Sequence, residues 1–205
     1  MPMKNTAPAF TLIELLVVIA LVTVLASFAY AGAGAMIGRA HMTKCLSNMR
    51  QIGAAMQMFA GDNDGRLPGT SHGVSWTNSL GAYLGPKFIG KCPAVPNHRA
   101  RVSYGWNDSL ADARGAGIKV ASVRSPSSTM AAAELATNQS SEHFHFAGGR
   151  HGASRVTPNQ FKAAVNVEVH GGSANYLFVD GHVENLPWNE VQGRLCQPGA
   201  NFLVP

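Results

Sequence analysis

The pattern of apolar and polar positions divides the chain into three stretches. From Leu15 to Gly38 there is no charged residue, and the run is long enough to cross a hydrocarbon core as one helix. After Gly38 the pattern turns amphipathic. Met42, Cys45, Leu46, Met49, Ile52, Met56 and Phe59 recur at three- and four-residue steps, with Lys44, Asn48, Arg50 and Gln51 on other faces. One α-helix is therefore predicted over residues 10–60, on the order of 75 Å at 1.5 Å per residue, with its membrane-crossing part at 12–37. Gly32, Gly34 and Gly38 weaken its middle, where a bend or local melting is expected. Gly61, Gly65 and Pro68 stop the helix.

Residues 61–205 read as a globular head, rich in Gly, Pro, Ser and Asn between short apolar runs. A short helix is predicted in Trp76–Gly85, a strand or turn in Val102–Asn107, and a loop followed by a buried strand in Ser125–Leu135. Lys162–Val169 alternates with period two at Ala163, Val165, Val167 and Val169, which predicts a strand. Two further strands, at 175–179 and 182–186, flank Asp180-Gly181, a dipeptide that suits a type I′ hairpin turn. The class is α+β, a small antiparallel sheet packed on the second half of the helix through Met49, Ile52, Met56 and Phe59.

Composition narrows the function. A length of 205 residues allows one domain plus an appendage. The net charge of +5 comes from scattered residues with no basic stripe, which argues against a dedicated nucleic-acid surface. Lys4 precedes the apolar run, so the positive-inside rule leaves the first residues cytoplasmic and the head outside. A cleaved secretory signal is a competing reading, since Phe28–Ala35 offers small-x-small sites. Cys45, Cys92 and Cys196 form no Cys-x-x-Cys pair, against a zinc ribbon or a thioredoxin-like site. In an exported head, Cys92 and Cys196 are the candidate disulfide, against three unpaired thiols.

His143 and His145 would share a strand face and could chelate a metal with a third ligand, and Asp180 and His170 could be second-site ligands, but no tight ligand spacing is present. Asp62, Asn63 and Asp64 open like a calcium loop without its spacing. No metal ligand or cofactor is assigned. No nucleophile elbow, Walker loop or dinucleotide fingerprint occurs, so no catalytic residue is assigned and an enzyme is not expected.

Glu14 stands in the apolar run, where a charge at a helix centre costs roughly 2.5–3.5 kcal/mol on insertion scales. A lone acid near a helix start also suits the helix dipole. The string Phe10-Thr11-Leu12-Ile13-Glu14-Leu15-Leu16, followed by an unbroken apolar helix, resembles the cleavage and methylation segment of type IV pilins and type II secretion pseudopilins. That resemblance implies a leader at 1–9, cut by prepilin peptidase between Ala9 and Phe10, with methylation of the new Phe10 amine. Ala9 stands where Gly is usual in that family, which implies slower processing. It also implies assembly through Glu14, whose carboxylate meets the Phe10 amine of a neighbouring subunit in a helical filament built by an inner-membrane platform. His170, nine intervening residues and Asp180-Gly181 resemble the H-x9-DG carboxy-terminal signature of prepilin-like proteins. The expected function is a filament subunit in the inner membrane, single-pass, with its head periplasmic or extracellular. The alternatives are a minor subunit whose head binds a substrate, glycan or DNA, and a tethered metal enzyme.

Overall fold

A computed structural model describes the chain except for residues 1–9, 71–74, 87, 89, 113, 145, 147–155, 197–200 and 204–205. Helix α1 runs Leu12–Asp62 and is continuous through Gly34 and Gly38, so the chain is not melted there. The chain divides into two compact units, Met1–Gly38 and Arg39–Pro205. In the first, the large apolar side chains from Leu12 to Ile37 are 48–88% exposed. No described residue of the unit covers them, as expected of a surface made for lipid or for other chains.

The second unit takes in the later part of α1, α2 (Trp76–Ser79), β1 (Tyr104–Asn107), β2 (Met130–Glu134), β3 (His143–Phe144), α3 (Pro158–Ala164), β4 (Ser173–Phe178), β5 (Val183–Pro187) and α4 (Trp188–Cys196). The strands form one sheet in the order β3-β1-β2-β4-β5. All neighbours are antiparallel except β1 and β3, which run parallel with Trp106 opposite His143, so the sheet is mixed.

Each face of the sheet has its own core. On one side Met49, Ile52, Ala55 and Met56 of α1 meet Tyr104, Trp106, Ala132 and Leu177. On the other, Phe144, Tyr176 and Phe178 meet Phe161 of α3, Val191 of α4 and the Phe202-Leu203 segment. The alternation Tyr176, Leu177, Phe178 follows from the period of two in a strand. β2 carries a register shift between Met130 and Ala132, which turns both Ala131 and Ala132 toward the α1 face. The amphipathic stripe read from α1 is buried as expected, with one correction. Asn48, placed on an outer face by the sequence pattern, is buried, and its Nδ2 donates to the Tyr104 hydroxyl at 3.0 Å.

Two local expectations fail for identifiable reasons. The strand predicted at 162–169 is replaced by the end of α3 and a following turn. Thr157 caps α3, Gln160 returns to the Thr157 N–H to complete a capping box, and Pro158 starts the helix. Within the helix the buried positions are Phe161 and Ala164, while Val165 and Val167 are buried beyond its end, where Val165 is extended and bridges to Leu135. The β4–β5 hairpin lies where the pattern put it, but its turn is not type I′. Only Gly181 has positive φ, at 94°. Its N–H donates to the Phe178 carbonyl at 2.9 Å and the Phe178 N–H to the His182 carbonyl at 3.0 Å, which makes a three-residue loop ending on a left-handed glycine.

That turn docks on α1 at a glycine. A Cβ added to Gly53 would stand 2.8 Å from the Gly181 carbonyl oxygen and 2.8 Å from Leu177 Cδ1. Gly53→Ala is expected to lower head stability by about 1–3 kcal/mol through overpacking. Gly61→Ala, with open space around it, should raise it by up to about 1 kcal/mol through helix propensity. Urea unfolding of the full chain in detergent, followed by Trp fluorescence, checks both signs.

Candidate functional site

Two features carry chemistry, one in each unit. The first is the start of α1. Thr11 and Glu14 form a reciprocal cap: the Thr11 N–H and hydroxyl donate to Glu14 Oε2 at 2.9 and 2.8 Å, and the Glu14 N–H approaches Thr11 Oγ1 at 3.3 Å. The Thr-x-x-Glu spacing is a capping box, which the sequence reading passed over in favour of the dipole. In the single chain, Glu14 is therefore held by its own helix end. Phe10 is exposed beside it. Ala9, the other processing position, lies outside the described residues.

The second is a buried polar cluster under the sheet face that meets α1. Cys45 comes from α1, Cys92 from the loop after α2, Glu134 from the end of β2, and His170 from the turn before β4. Their ligand atoms all lie within 4.8 Å of one another. Glu134 follows Ala132 by two residues and so points to the same face. Its Oε1 is 2.7 Å from His170 Nε2, and both side chains are almost wholly excluded from solvent, at 2% and 1% exposure.

The partners of the cluster are fixed in turn. Glu134 Oε2 accepts from the Asn175 N–H at 2.9 Å, and Asn175 Oδ1 accepts from Asn185 Nδ2 at 3.0 Å. The His170 N–H donates to the Ser173 carbonyl at 2.9 Å, and Ser173 Oγ to the His170 carbonyl at 3.1 Å.

The cluster redistributes protons. Burial alone would pull the His170 imidazole down, but hydrogen bonds to Cys92 and Glu134 and the Glu134 charge carry it up to about 9. The Cys92 thiol is drawn down to about 6, chiefly by a hydrogen bond from Cys45. Cys45 itself is pushed up, first by that same bond and then by burial, so it stays a thiol that donates. Cys92 is thus drawn toward its thiolate and His170 toward its imidazolium, beside Glu134. These residue types are ligands for a borderline-soft metal ion.

Sequence reasoning found only part of this. The candidate pair Cys92 and Cys196 is not brought together as a bond: Cys196 is exposed at the end of α4, while Cys92 is buried against Cys45. Cys45 had read as one more apolar residue in the helix stripe. Glu134 closes an Ala run and gave no signal. His170 is in the cluster. Asp180 is not: its Oδ1 accepts from the His182 N–H at 3.1 Å and lies 2.6 Å from His182 Nδ1, while the His182 ring stacks on Phe178 at 4.4 Å. Gly181 sits against Gln57, whose Nε2 donates to the Val179 carbonyl at 2.9 Å. Thus His170 and Asp180-Gly181 serve two places, one at the buried cluster and one at the dock between hairpin and α1. His143 opens β3, and its expected partner His145 lies outside the described residues. Asp62, Asn63 and Asp64 form the end of α1 and a turn, where the Asp62 carboxylate accepts from the Tyr83 hydroxyl at 3.0 Å.

Residues 5–30 match the family model described as the prokaryotic N-terminal methylation motif, the type IV pilin-like signature. No curated protein and no solved structure matches the chain. One apolar amino-terminal helix together with this motif fits a membrane-anchored, single-pass protein. The motif points to a pilin-like structural subunit that prepilin peptidase processes and that assembles with other pilin subunits.

Proposed function

We propose that the chain is a subunit of a type II secretion pseudopilus or a type IV pilus-like filament. In this reading prepilin peptidase cuts between Ala9 and Phe10 and methylates the Phe10 amine. Residues 1–9 are then the leader, 10–60 the assembly helix and 61–205 the head. The amino terminus starts in the cytoplasm, because Lys4 lies before the span. The head lies in the periplasm or beyond. An inner-membrane platform adds the subunit to a filament.

The observation that carries this reading is the first unit. A helix whose apolar side chains are open on every side begins with a carboxylate at Glu14, inside a matched methylation motif. Lipid satisfies the apolar side chains before assembly, and neighbouring helices do so after it. Once Ala9–Phe10 is cut, the free amine supplies a positive partner for a Glu14 of the next subunit. That turns two charges, each costly in an apolar setting, into a compensated pair.

The test is the intact mass and amino-terminal sequence of the chain from membranes of its own host. The expected product begins at methylated Phe10. A chain beginning just after Ala31 or Ala33 would mean an ordinary secreted protein, and the filament reading would fail.

A further inference from the structure

We propose that Cys45, Cys92, Glu134 and His170 form a tetrahedral zinc site that fastens α1 to the sheet. The inference does not depend on the filament reading, because all four residues lie in the second unit.

Four segments far apart in sequence deliver two sulfurs, one carboxylate oxygen and one imidazole nitrogen to a single buried point. This donor set suits zinc, which takes Cys, His and carboxylate ligands in four-coordinate structural sites. Zinc holds such ligands at roughly 2.0–2.3 Å, which places them about 3.3–3.8 Å from each other. The donors within 4.8 Å of one another need only a small inward movement. The 2.7 Å contact between His170 Nε2 and Glu134 Oε1 opens slightly as the nitrogen exchanges its proton for the metal.

A disulfide between Cys45 and Cys92 would use only the two sulfurs. It gives no reason for an acid and an imidazole, both stripped of water, to converge on the same point. An ion uses all four groups. The supports around the ligands are those of a metal site. Asn175 orients Glu134 and is itself held by Asn185, while Ser173 fixes the His170 backbone. Outer contacts of this kind set ligand direction.

With zinc bound, the site would hold two thiolates, one carboxylate and one neutral imidazole. Each ligand must shed any proton it carries, so uptake strengthens as pH rises.

The experiment uses the full chain in detergent, purified under reducing conditions and offered zinc or cobalt(II). The expected result is one zinc per chain by elemental analysis, with thiolate-to-cobalt charge-transfer absorption in the cobalt form. Cys196→Ser should keep the metal, since Cys196 is exposed on α4. Cys92→Ser should abolish the charge-transfer band or weaken it sharply. Glu134→Gln, which preserves size but turns one accepting oxygen into a donor, should lower affinity by roughly tenfold or more. Trp fluorescence tells loss of metal from loss of fold.

Three results would overturn the proposal. One is a chain from host membranes, trapped by alkylation, that holds a Cys45–Cys92 disulfide and no metal. Another is a reduced, folded chain that takes up neither ion. The third is metal that survives in Cys92→Ser but is lost in Cys196→Ser.

Discussion

Glu14→Leu is expected to insert and be processed like the parent chain, yet to leave about tenfold less protein in sheared filaments, the change that roughly 1.4 kcal/mol produces. Insertion should not suffer, because Leu removes a charge that the membrane penalises. Assembly should suffer, because the Phe10 amine of the neighbouring subunit then has no counter-charge.

The structure makes a sharper test possible. Glu14 also caps its own helix through Thr11, so a Leu variant removes two roles together. Glu14→Gln separates them. A capping box accepts Gln as well as Glu, so the cap survives while the charge is gone. The Gln variant is expected to assemble as poorly as the Leu variant. Thr11→Ala, which loses part of the cap and keeps the charge, should assemble nearly normally, at a cost of about 1 kcal/mol to the helix end. Immunoblots of sheared and membrane-retained fractions read all three. Normal filaments from Glu14→Gln would mean that capping, not charge pairing, explains the acid.

His170→Ala should give the largest loss of head stability, about 3–5 kcal/mol in the metal-free, reduced chain. The truncation leaves the Glu134 carboxylate buried without its cation, and such half-pairs fall in that range. All three Trp residues lie in the head, at 76, 106 and 188, and Trp76 and Trp106 stack in its core at 5.8 Å. Urea unfolding followed by Trp fluorescence therefore reads the head directly. A loss under 1 kcal/mol would mean that water reaches Glu134.

The same cluster has a definite pH signature. His170 keeps its proton to about pH 9 when folded, against 6.5 for the free group. Its contribution is complete below pH 6.5 and lost as pH rises to 9. Cys92 runs the other way. It is a thiolate above about pH 6 when folded, against 9.0 for the free group, so its contribution is absent below 6 and complete above 9. The opposing slopes leave the metal-free chain level between pH 6.5 and 9. Cys92→Ala removes the thiolate slope together with one of the partners that raise His170, so Glu134 alone then holds the imidazole up. That variant should lose stability as pH rises above 6.5, by less than about 1.4 kcal/mol per unit. Unfolding curves at a series of pH values check this. Stability that rises with pH in Cys92→Ala would remove the proton-sharing account.

The sequence by itself determined what depends on neighbours along the chain. The apolar run, the Phe-Thr-Leu-Ile-Glu string and the helical stripe through Met49, Ile52 and Met56 are short-period patterns. They survive folding because a helix sets its own spacing. The β4–β5 hairpin was legible because Asp180-Gly181 breaks two apolar runs. Errors arose where two local rules competed. Ala163, Val165 and Val167 fit a strand period, but the Thr157–Gln160 capping box commits the chain to a helix through Ala164, and only Val165 and Val167, beyond its end, keep the buried alternation. Asp-Gly suited a two-residue turn, but pairing of Phe178 with His182 lengthened the loop by one residue.

Tertiary structure alone decided the buried cluster. Cys45 looked apolar in a helical stripe, Cys92 looked like a loop thiol, and Glu134 ended a featureless Ala run. Their ligand atoms meet His170 because β2 lies between β1 and β4, and α1 covers the face to which Glu134 points. Proximity between segments up to 125 residues apart, as from Cys45 to His170, leaves no periodic trace in one sequence. It exists only once the sheet order and the seat of the helix are fixed.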